Sequence, residues 1–161
     1  MVLLTESTFL RNVLLKNVSF EEGIKVYSTK GHLFEYFPQK GKISYSLKRE
    51  AKGIYSFLSS LKEEVVIATD TDPAGELIAF ECASVVPKEI PVFRFLKPVE
   101  ELLLLKKVTK EYLLSHSVTK INLLRGIRYL EERFLSSFHE ERMKALKLLT
   151  EKDVYKVPLK A

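Results

Sequence analysis

Apolar positions in the first 96 residues fall into short β-branched runs, separated by stretches with a helical period. The runs predict strands over residues 2–5, 24–28, 65–69 and 92–96. The third run is almost wholly apolar and too short for a helix, which is typical of a buried parallel strand. Helices are predicted over residues 7–16, 46–61 and 73–83, with a turn at 30–32 and a loop at 38–42. Alternating strands and helices predict an α/β fold, a parallel sheet with helices on both faces.

The pattern changes after Pro98, where only helical periods follow, over residues 99–107, 109–115 and 121–149. We therefore divide the chain into a domain over residues 1–97 and a helical extension over residues 98–161. In the first helix of the chain, Phe9, Val13 and Leu10 are expected to face the core. In the last, one face carries the apolar residues Leu123, Ile127, Leu130, Phe134 and Phe138, and another carries Arg125, Arg128 and Glu132.

Basic residues are concentrated in the second half of the chain. Residues 1–87 hold 10 basic and 11 acidic side chains, residues 88–161 hold 16 and 10, and the net charge is +5. An excess of lysine and arginine favours a polyanion such as nucleic acid, because binding displaces condensed counterions. A surface rich in Glu and Lys, with Gln39 as the only glutamine, is equally typical of heat-adapted proteins. Charge alone does not distinguish these two interpretations.

The composition excludes several classes of protein. No run approaches the roughly 18 apolar residues of a membrane-spanning helix, and Glu6 interrupts the apolar start that a secretion signal would need. The single cysteine, Cys82, excludes an internal disulfide and a cysteine-ligated zinc site. We therefore expect a cytoplasmic protein without a membrane partner, in which Cys82 is a small buried residue.

Three acidic residues directly follow predicted strands. Aspartate occurs only three times in the chain, and Asp70 and Asp72 both follow the strand over residues 65–69, whereas Glu6 follows the first strand. Ligands bind at the carboxyl ends of strands in open α/β sheets, so the three carboxylates converge if these strands are neighbours. Their repulsion would raise their pKa values unless a cation such as Mg²⁺ lies between them. In the alternative interpretation, Asp70 only caps the helix that begins at Pro73.

Five short motifs resemble type IA DNA topoisomerases and reverse gyrases, in the same order along the chain. Residues 67–79 (Ile-Ala-Thr-Asp-Thr-Asp-Pro-Ala-Gly-Glu-Leu-Ile-Ala) are similar to the Toprim signature of these enzymes, and residues 3–7 (Leu-Leu-Thr-Glu-Ser) to their opening Val-Glu-Ser. Three further motifs resemble their Gly-His turn, their Ile-Thr-Lys-Glu and a reverse-gyrase helix, at residues 30–33, 108–111 and 128–135.

The resemblance implies a Toprim fold and an isomerase activity that changes DNA topology. It implies that Glu6, Asp70 and Asp72 are catalytic and bind Mg²⁺, with Mn²⁺ as a substitute. Glu76 follows Gly75 in the family pattern and is a further catalytic candidate. It could act as a general base or only as a charge that interacts with the helix dipole.

The resemblance also suggests which residues contact the partner, single-stranded DNA or another nucleic acid. It implies that His32 lies near the acidic site and that Arg128 faces the strand, and we expect Arg125 to contribute to the same basic surface. Each has a simpler alternative. His32 could be a turn residue bonded to the backbone, and Arg128 could pair with Glu132 one helical turn away.

Departures from the family pattern leave the function open. Pro73 and Ala74 stand where the topoisomerase signature has Arg-Glu, so the third clustered acid is missing. We also expect the chain to stop before the domain that carries the active-site tyrosine. One hypothesis is a truncated or split topoisomerase module that works with a second chain carrying the tyrosine. The others are a stand-alone metal-dependent Toprim nuclease and a non-catalytic remnant that binds DNA.

One motif imitates the tyrosine site. Residues 41–46 (Gly-Lys-Ile-Ser-Tyr-Ser) resemble the Gly-x-Ile-Ser-Tyr of the family's nucleophile. The run precedes Asp70 and lacks the Pro-Arg-Thr that follows the tyrosine in the family. We therefore interpret Tyr45 as a packing residue.

Overall fold

The computed structural model describes residues 1–39 and 42–134, which form an α/β structure. The strands are β1 (Val2–Thr5), β2 (Ser19–Phe20), β3 (Lys25–Ser28), β4 (Phe34–Gln39), β5 (Lys42–Leu47), β6 (Val65–Ala68), β7 (Val92–Phe95), β8 (Lys107–Val108) and β9 (Ser117–Val118). The helices are α1 (Thr8–Asn17), α2 (Lys52–Ser59), α3 (Pro73–Val85), α4 (Lys110–Ser115) and α5 (Leu123–Phe134), with 3₁₀ turns at Arg49–Ala51 and Val99–Leu104. The predicted fold class is confirmed.

The main sheet has the strand order β3-β1-β6-β7-β9. The pairs β3–β1, β1–β6 and β6–β7 are parallel, and β9 is antiparallel to β7. The central strands β1 and β6 are neighbours, with Thr5 opposite Ala68. The carboxyl ends of the two strands that precede the predicted acidic site therefore lie side by side.

Side chains of the central strands alternate between two hydrophobic clusters, one on each face of the sheet. Leu4 and Ile67 belong to the cluster that is covered by α2, α3 and α5. Leu3 and Val66 belong to the other, which is covered by α1 and α4. The prediction of helices on both faces is thus confirmed, and every residue of β1 and β6 is buried.

The predicted core face of α1 is wrong at Phe9, and the predicted core residue Val13 is only half-buried. Phe9 is 78% exposed, whereas Leu14 is fully buried and Leu10 packs beside it. Helix α1 begins after Ser7, which caps it by accepting a hydrogen bond from the Leu10 amide. From that start, Leu10 and Leu14 lie four residues apart on the face that meets the sheet, and Phe9 lies beside it.

A β-hairpin replaces the predicted loop over residues 38–42 and the beginning of the predicted helix over residues 46–61. Strands β4 and β5 pair antiparallel, with Phe34 opposite Leu47 and Tyr36 opposite Tyr45. These cross-strand pairs pack against the first hydrophobic cluster. Residues 46 and 47 belong to strand β5 and not to a helix, and α2 begins only at Lys52.

The prediction that only helices follow Pro98 is wrong, because β8 pairs with β2 and β9 extends the main sheet. Two-residue strands have no detectable period, so no pattern marked them. Helix α5 packs closely on α3, and a Cβ on Gly126 would lie 3.2 Å from the Leu77 backbone. The domain boundary at residues 97 and 98 stays a prediction.

Part of the predicted last helix lies outside the described residues. Residues 135–149, which include Phe138, belong to that part. Of the predicted apolar stripe, the side chain of Leu130 is described, and it is buried in the first cluster. Over residues 1–39 and 42–134, no helix has the length and apolar character needed to cross a bilayer.

The loop from β6 to α3 is tightly packed by main-chain contacts. Asp72 caps α3, with its Oδ1 accepting a hydrogen bond from the Gly75 amide at 2.7 Å. The Thr69 hydroxyl donates to the Gly75 carbonyl, also at 2.7 Å. A Cβ on Gly75 would lie only 1.9 Å from the carbonyl oxygen of Asp70, so the loop requires glycine at this position.

Two glycine substitutions test this close approach. We expect Gly75→Ala to lower the free energy of unfolding by roughly 1–3 kcal/mol or more, because the Asp70 backbone must move. Gly53→Ala is the matched control, since Gly53 also lies in the first turn of a helix but has open space around it. It should raise stability by roughly 0.5–1 kcal/mol. Urea unfolding measures both, and equal effects would contradict the packing.

Candidate metal and nucleic-acid site

Glu6 and Asp70 lie next to each other at the carboxyl ends of β1 and β6. The Asp70 amide donates a hydrogen bond to Glu6 Oε1 at 3.2 Å, so the Glu6 side chain crosses the end of the neighbouring strand. The main-chain oxygen of Glu6 accepts from the Gly31 amide at 3.2 Å. The turn after β3 is thereby attached to the same edge of the sheet.

Glu6 and Asp70 both have raised pKa values. Burial raises the pKa of Glu6 most, the Asp70 amide lowers it, the charges of Asp70 and Asp72 raise it, and His32 lowers it. For Asp70, burial and then the charges of Asp72 and Glu100 raise the pKa, whereas Arg94 lowers it. The predicted repulsion between the three acids is therefore present, and it would be relieved by a cation.

The helix cap belongs to Asp72 and not to Asp70. The alternative interpretation, in which Asp70 is only a helix cap, is therefore wrong. Asp70 instead precedes the cap, exposed at the mouth of the loop. Capping occupies one carboxylate oxygen of Asp72, which leaves its charge at the site but restricts its side chain.

Glu100 is an acidic residue near the site that the sequence did not reveal. It lies in the 3₁₀ turn after Pro98, and it lines a cavity of about 230 Å³ together with Asp70, Thr71 and Asp72. Its place results from how the segment after β7 folds back over the sheet. No motif or spacing in the sequence could have identified it.

A buried arginine beneath the loop was also missed. Arg94 in β7 is 1% exposed, and its guanidinium donates to the carbonyl oxygens of Ile67, Thr69 and Asp70 at 3.1, 2.9 and 2.8 Å. The signal that could have found it is an arginine in the middle of a predicted buried strand, where a charge needs partners.

Glu76 is the ionic partner of Arg94. Glu76 Oε1 accepts from the guanidinium at 2.8 Å, and its Oε2 accepts from the Asn122 amide at 3.0 Å. Both oxygens are engaged within the protein, and the side chain is buried. The structure therefore does not bring Glu76 together with the exposed acids.

His32 is held by a second buried glutamate of α3. Glu81 accepts from the Leu33 amide at 3.0 Å and from the Tyr36 hydroxyl at 2.7 Å, and it lies 3.3 Å from Nδ1 of His32. The imidazole also stacks on the ring of Tyr129 in α5, with centroids 5.4 Å apart. His32 thus lies near Glu6, as the resemblance implied, and its partners are side chains.

The two arginines of α5 have different surroundings. Arg125 donates to the carbonyl oxygen of Thr71, in the loop between the two aspartates. Arg128 is exposed on the helix surface. Tyr45, the imitation of the tyrosine site, packs in the hairpin with its ring 5.5 Å from that of Phe34.

The acidic residues fit a weakly bound Mg²⁺ and not a cage of protein ligands. Over residues 1–39 and 42–134, no group of three His, Cys, Asp or Glu side chains is close enough to hold an ion. Mg²⁺ typically uses one or two carboxylates and keeps several waters, so Glu6 and Asp70, at adjacent strand ends, are sufficient in number for such an ion. Burial, together with the charges of neighbouring acids, raises the pKa of both groups, so the charged carboxylates are disfavoured in the absence of a cation.

Comparisons with known proteins bear on the family and the fold of the chain. A family model for the Toprim domain matches residues 9–98, which include Asp70 and Asp72, whereas Glu6 precedes the match. Full-length topoisomerase I from Thermotoga maritima has a similar structure, with a TM-score of 0.58 and 18% identity. The match covers 83% of this chain and 23% of that one, and identity at this level shows the fold alone. No curated protein sequence matches the chain.

The raised pKa values of Glu6 and Asp70 predict that their carboxylates destabilise the metal-free protein at neutral pH. The protonated carboxyl groups contribute stability below their ordinary pKa values, 4.5 for Glu6 and 3.8 for Asp70. This contribution is lost as the pH rises through the raised pKa values. We expect Asp70→Asn to raise the melting temperature of the metal-free protein at neutral pH, with a difference that vanishes below pH 3.8. The control is Glu89→Gln, an exposed residue in the loop that precedes β7. A neutral-pH loss of stability in Asp70→Asn would contradict the prediction.

Proposed function

The chain belongs to the Toprim domain family, and on this premise we propose that it is a Mg²⁺-binding module of a type IA topoisomerase that acts on single-stranded DNA. The observation that carries the proposal is the hydrogen bond from the main-chain amide of Asp70 to the Glu6 carboxylate, which brings the two acidic residues together at adjacent strand ends. The carboxyl ends of strands in an open sheet are where this fold class binds its ligands.

In the proposed site, Glu6 and Asp70 hold the cation and Asp72 adds negative charge beside it. When bound, Mg²⁺, or Mn²⁺ in its place, would neutralise a phosphodiester and orient it for attack. Arg94 keeps the Asp70 backbone in place through its main-chain oxygen. Arg125 does the same for Thr71. We assign Glu76 and Arg125 to positioning, since both already bind protein groups.

The proposed DNA contact lies on α5. Arg128 is exposed, and it belongs to the half of the chain with 16 basic and 10 acidic residues. Tyr129, the residue after Arg128, stacks on His32, so α5 lies beside the turn that is attached to Glu6. Phosphates held along Arg128 would therefore approach Glu6 and Asp70 from α5.

Strand passage by a type IA mechanism needs a tyrosine that forms a covalent phosphoester. Tyr45 is half-buried and packed against Phe34, so we assign this step to a tyrosine on another domain or a second chain. The rival function is hydrolysis by a stand-alone nuclease. Hydrolysis needs a group that can transfer a proton. The half-buried carboxyl of Glu6 has a raised pKa, and this observation favours the nuclease.

Cation binding is tested by calorimetric titration with Mn²⁺. We expect wild type to release or take up heat and to gain thermal stability, because the ion binds only the folded state. Asp70→Asn and Glu6→Gln should lose most of both effects, since each removes one of two carboxylate ligands. The matched control Glu89→Gln should behave as wild type. Identical titrations for all four proteins would refute the site.

Catalysis by the 161-residue protein separates the two functions. We expect no relaxation of supercoiled plasmid in Mg²⁺, because the proposal assigns the tyrosine to another domain or chain. A nuclease would nick the plasmid in Mn²⁺, and Asp72→Asn would abolish that nicking. Tyr45→Phe is the internal control and should change neither assay. Relaxation that Tyr45→Phe abolishes would overturn the assignment of the tyrosine.

A further inference from the structure

A cavity of about 110 Å³ lies between the loop after β6, strand β7 and the start of α5. Thr71 lines it, and Thr71 also lines the larger cavity that contains Asp70, Asp72 and Glu100. The two cavities therefore adjoin at the loop on which the acidic site is built. The larger cavity is acidic, and the charge of the smaller one decides what it can bind.

The ion pair between Arg94 and Glu76 forms the inner wall of the smaller cavity. Arg94 is 1% exposed and Glu76 is 6% exposed, and their opposite charges compensate each other at 2.8 Å. Both carboxylate oxygens of Glu76 accept hydrogen bonds within the protein, from Arg94 and from the Asn122 amide. This pair therefore presents neither a net charge nor a free acceptor to a ligand.

Two basic side chains set the charge of the smaller cavity, which we call the basic cavity. Lys120 is exposed, and its ammonium group has no ionic or hydrogen-bond partner among residues 1–39 and 42–134. Arg125 donates from Nη1 to the Thr71 carbonyl, and the other N–H groups of its guanidinium remain for a ligand. Glu76 is the one acid among the described residues of the lining. The accessible charge is therefore positive, and the basic cavity favours an anion.

Asn122 adds an uncharged donor to the lining of the basic cavity. Its Oδ1 accepts from the Arg125 amide at 3.3 Å, so the NH₂ group of the same side chain is left to donate. An ammonium, a guanidinium and an amide NH₂ group all donate hydrogen bonds, which suits phosphate oxygens because they accept them. One water occupies roughly 30 Å³ in the liquid, so the basic cavity has room for a phosphate group but not for a whole nucleotide.

The acidic site beside the basic cavity indicates what carries the phosphate. A free phosphate or a single carboxylate would use the basic cavity alone. A nucleic-acid strand has one phosphate at each nucleotide, so one phosphate can lie on a cation at Glu6 and Asp70 while another lies in the basic cavity. Arg128 lies on α5 three residues after Arg125, so the two arginines are neighbours on the helix surface. The DNA contact proposed on α5 therefore leads to the basic cavity.

We propose that the basic cavity binds a second phosphate of the strand whose first phosphate lies with the cation at Glu6 and Asp70, with Lys120 and Arg125 as its charged partners. The proposal rests on the proposed function, which supplies the strand. It adds a phosphate contact that needs no metal ion, and it gives Arg125 a ligand contact besides its positioning of Thr71.

The test is fluorescence anisotropy with a labelled single-stranded thymidine decamer, titrated at several salt concentrations without a divalent ion. We expect Lys120→Gln to weaken binding several-fold and to reduce the salt slope by roughly 0.7, the value for one phosphate contact of a single strand. Arg125→Gln should have the same effect. Lys120→Arg keeps the charge and should bind as wild type. The matched control is Lys88→Gln, since Lys88 is an equally exposed lysine in the loop that precedes β7.

Inorganic phosphate locates the binding site within the protein. In isotope-labelled wild type, we expect phosphate to shift the NMR signals of the Thr71, Asn122 and Arg125 amides, with chloride at equal ionic strength as the reference. Lys120→Gln should reduce these shifts, whereas Lys88→Gln should leave them unchanged. Because Lys120 has no partner among the described residues, its substitution removes a charge without disturbing the loop.

Each remaining outcome overturns a defined claim. If Lys120→Gln and Lys88→Gln bound the decamer equally while Arg128→Ala weakened binding, the second phosphate site would be refuted and the proposed function would stand. If an acidic peptide of the same length bound more tightly than the decamer, with the same dependence on Lys120, the ligand would be a protein and the second phosphate site would be wrong. Binding of inorganic phosphate without any binding of the decamer, with or without Mn²⁺, would overturn the proposed function and the strand with it.

Discussion

The buried ion pair between Arg94 and Glu76 is the interaction on which the acidic edge depends. A buried charge without a partner destabilises a fold by several kcal/mol, so the arginine in β7 obliges its neighbours to supply acceptors. They come from the end of β6, as three main-chain oxygens, and from α3, as the Glu76 carboxylate. Through the Asn122 amide, the same carboxylate holds the start of α5. This ion pair thus ties two strands and two helices together directly beneath Asp70.

Helix α3 supplies hydrogen-bond acceptors on both sides of the site. Its two buried glutamates, Glu76 and Glu81, lie on one helix but bind in different directions, the first to Arg94 and the second to the turn that contains His32. Precise placement of a functional group requires supporting residues that are themselves fixed by hydrogen bonds. In this protein the support for Asp70 and the support for His32 share a single rigid element. A shift of α3 would therefore move both together, and the distance between them would be preserved.

Sequence patterns identified the part of the fold in which each residue has one dominant environment. Strand β6 is buried on both faces and therefore has an apolar run, and Asp70 and Asp72 follow it as the parallel topology requires. The hairpin was missed because Leu47, the last residue of β5, also fits the helical period that continues into α2, and only the partner strand β4 decides between them. Strand β9 has two residues and no period at all. Glu76 was recognised as part of the motif, but its spacing could not reveal that Arg94, eighteen residues away, occupies it.

The way in which the arginines hold the loop explains how the site can be both rigid and negatively charged. Arg94 and Arg125 bind the loop through the main-chain oxygens of Asp70 and Thr71. A salt bridge to the carboxylates would have stabilised the loop as well, but it would have neutralised the groups that a cation needs. The main-chain contacts fix the backbone and leave negative charge at the surface. Burial and the charges of Asp72 and Glu100 raise the pKa of Asp70, and Arg94, which binds the main chain, lowers it without reversing the shift.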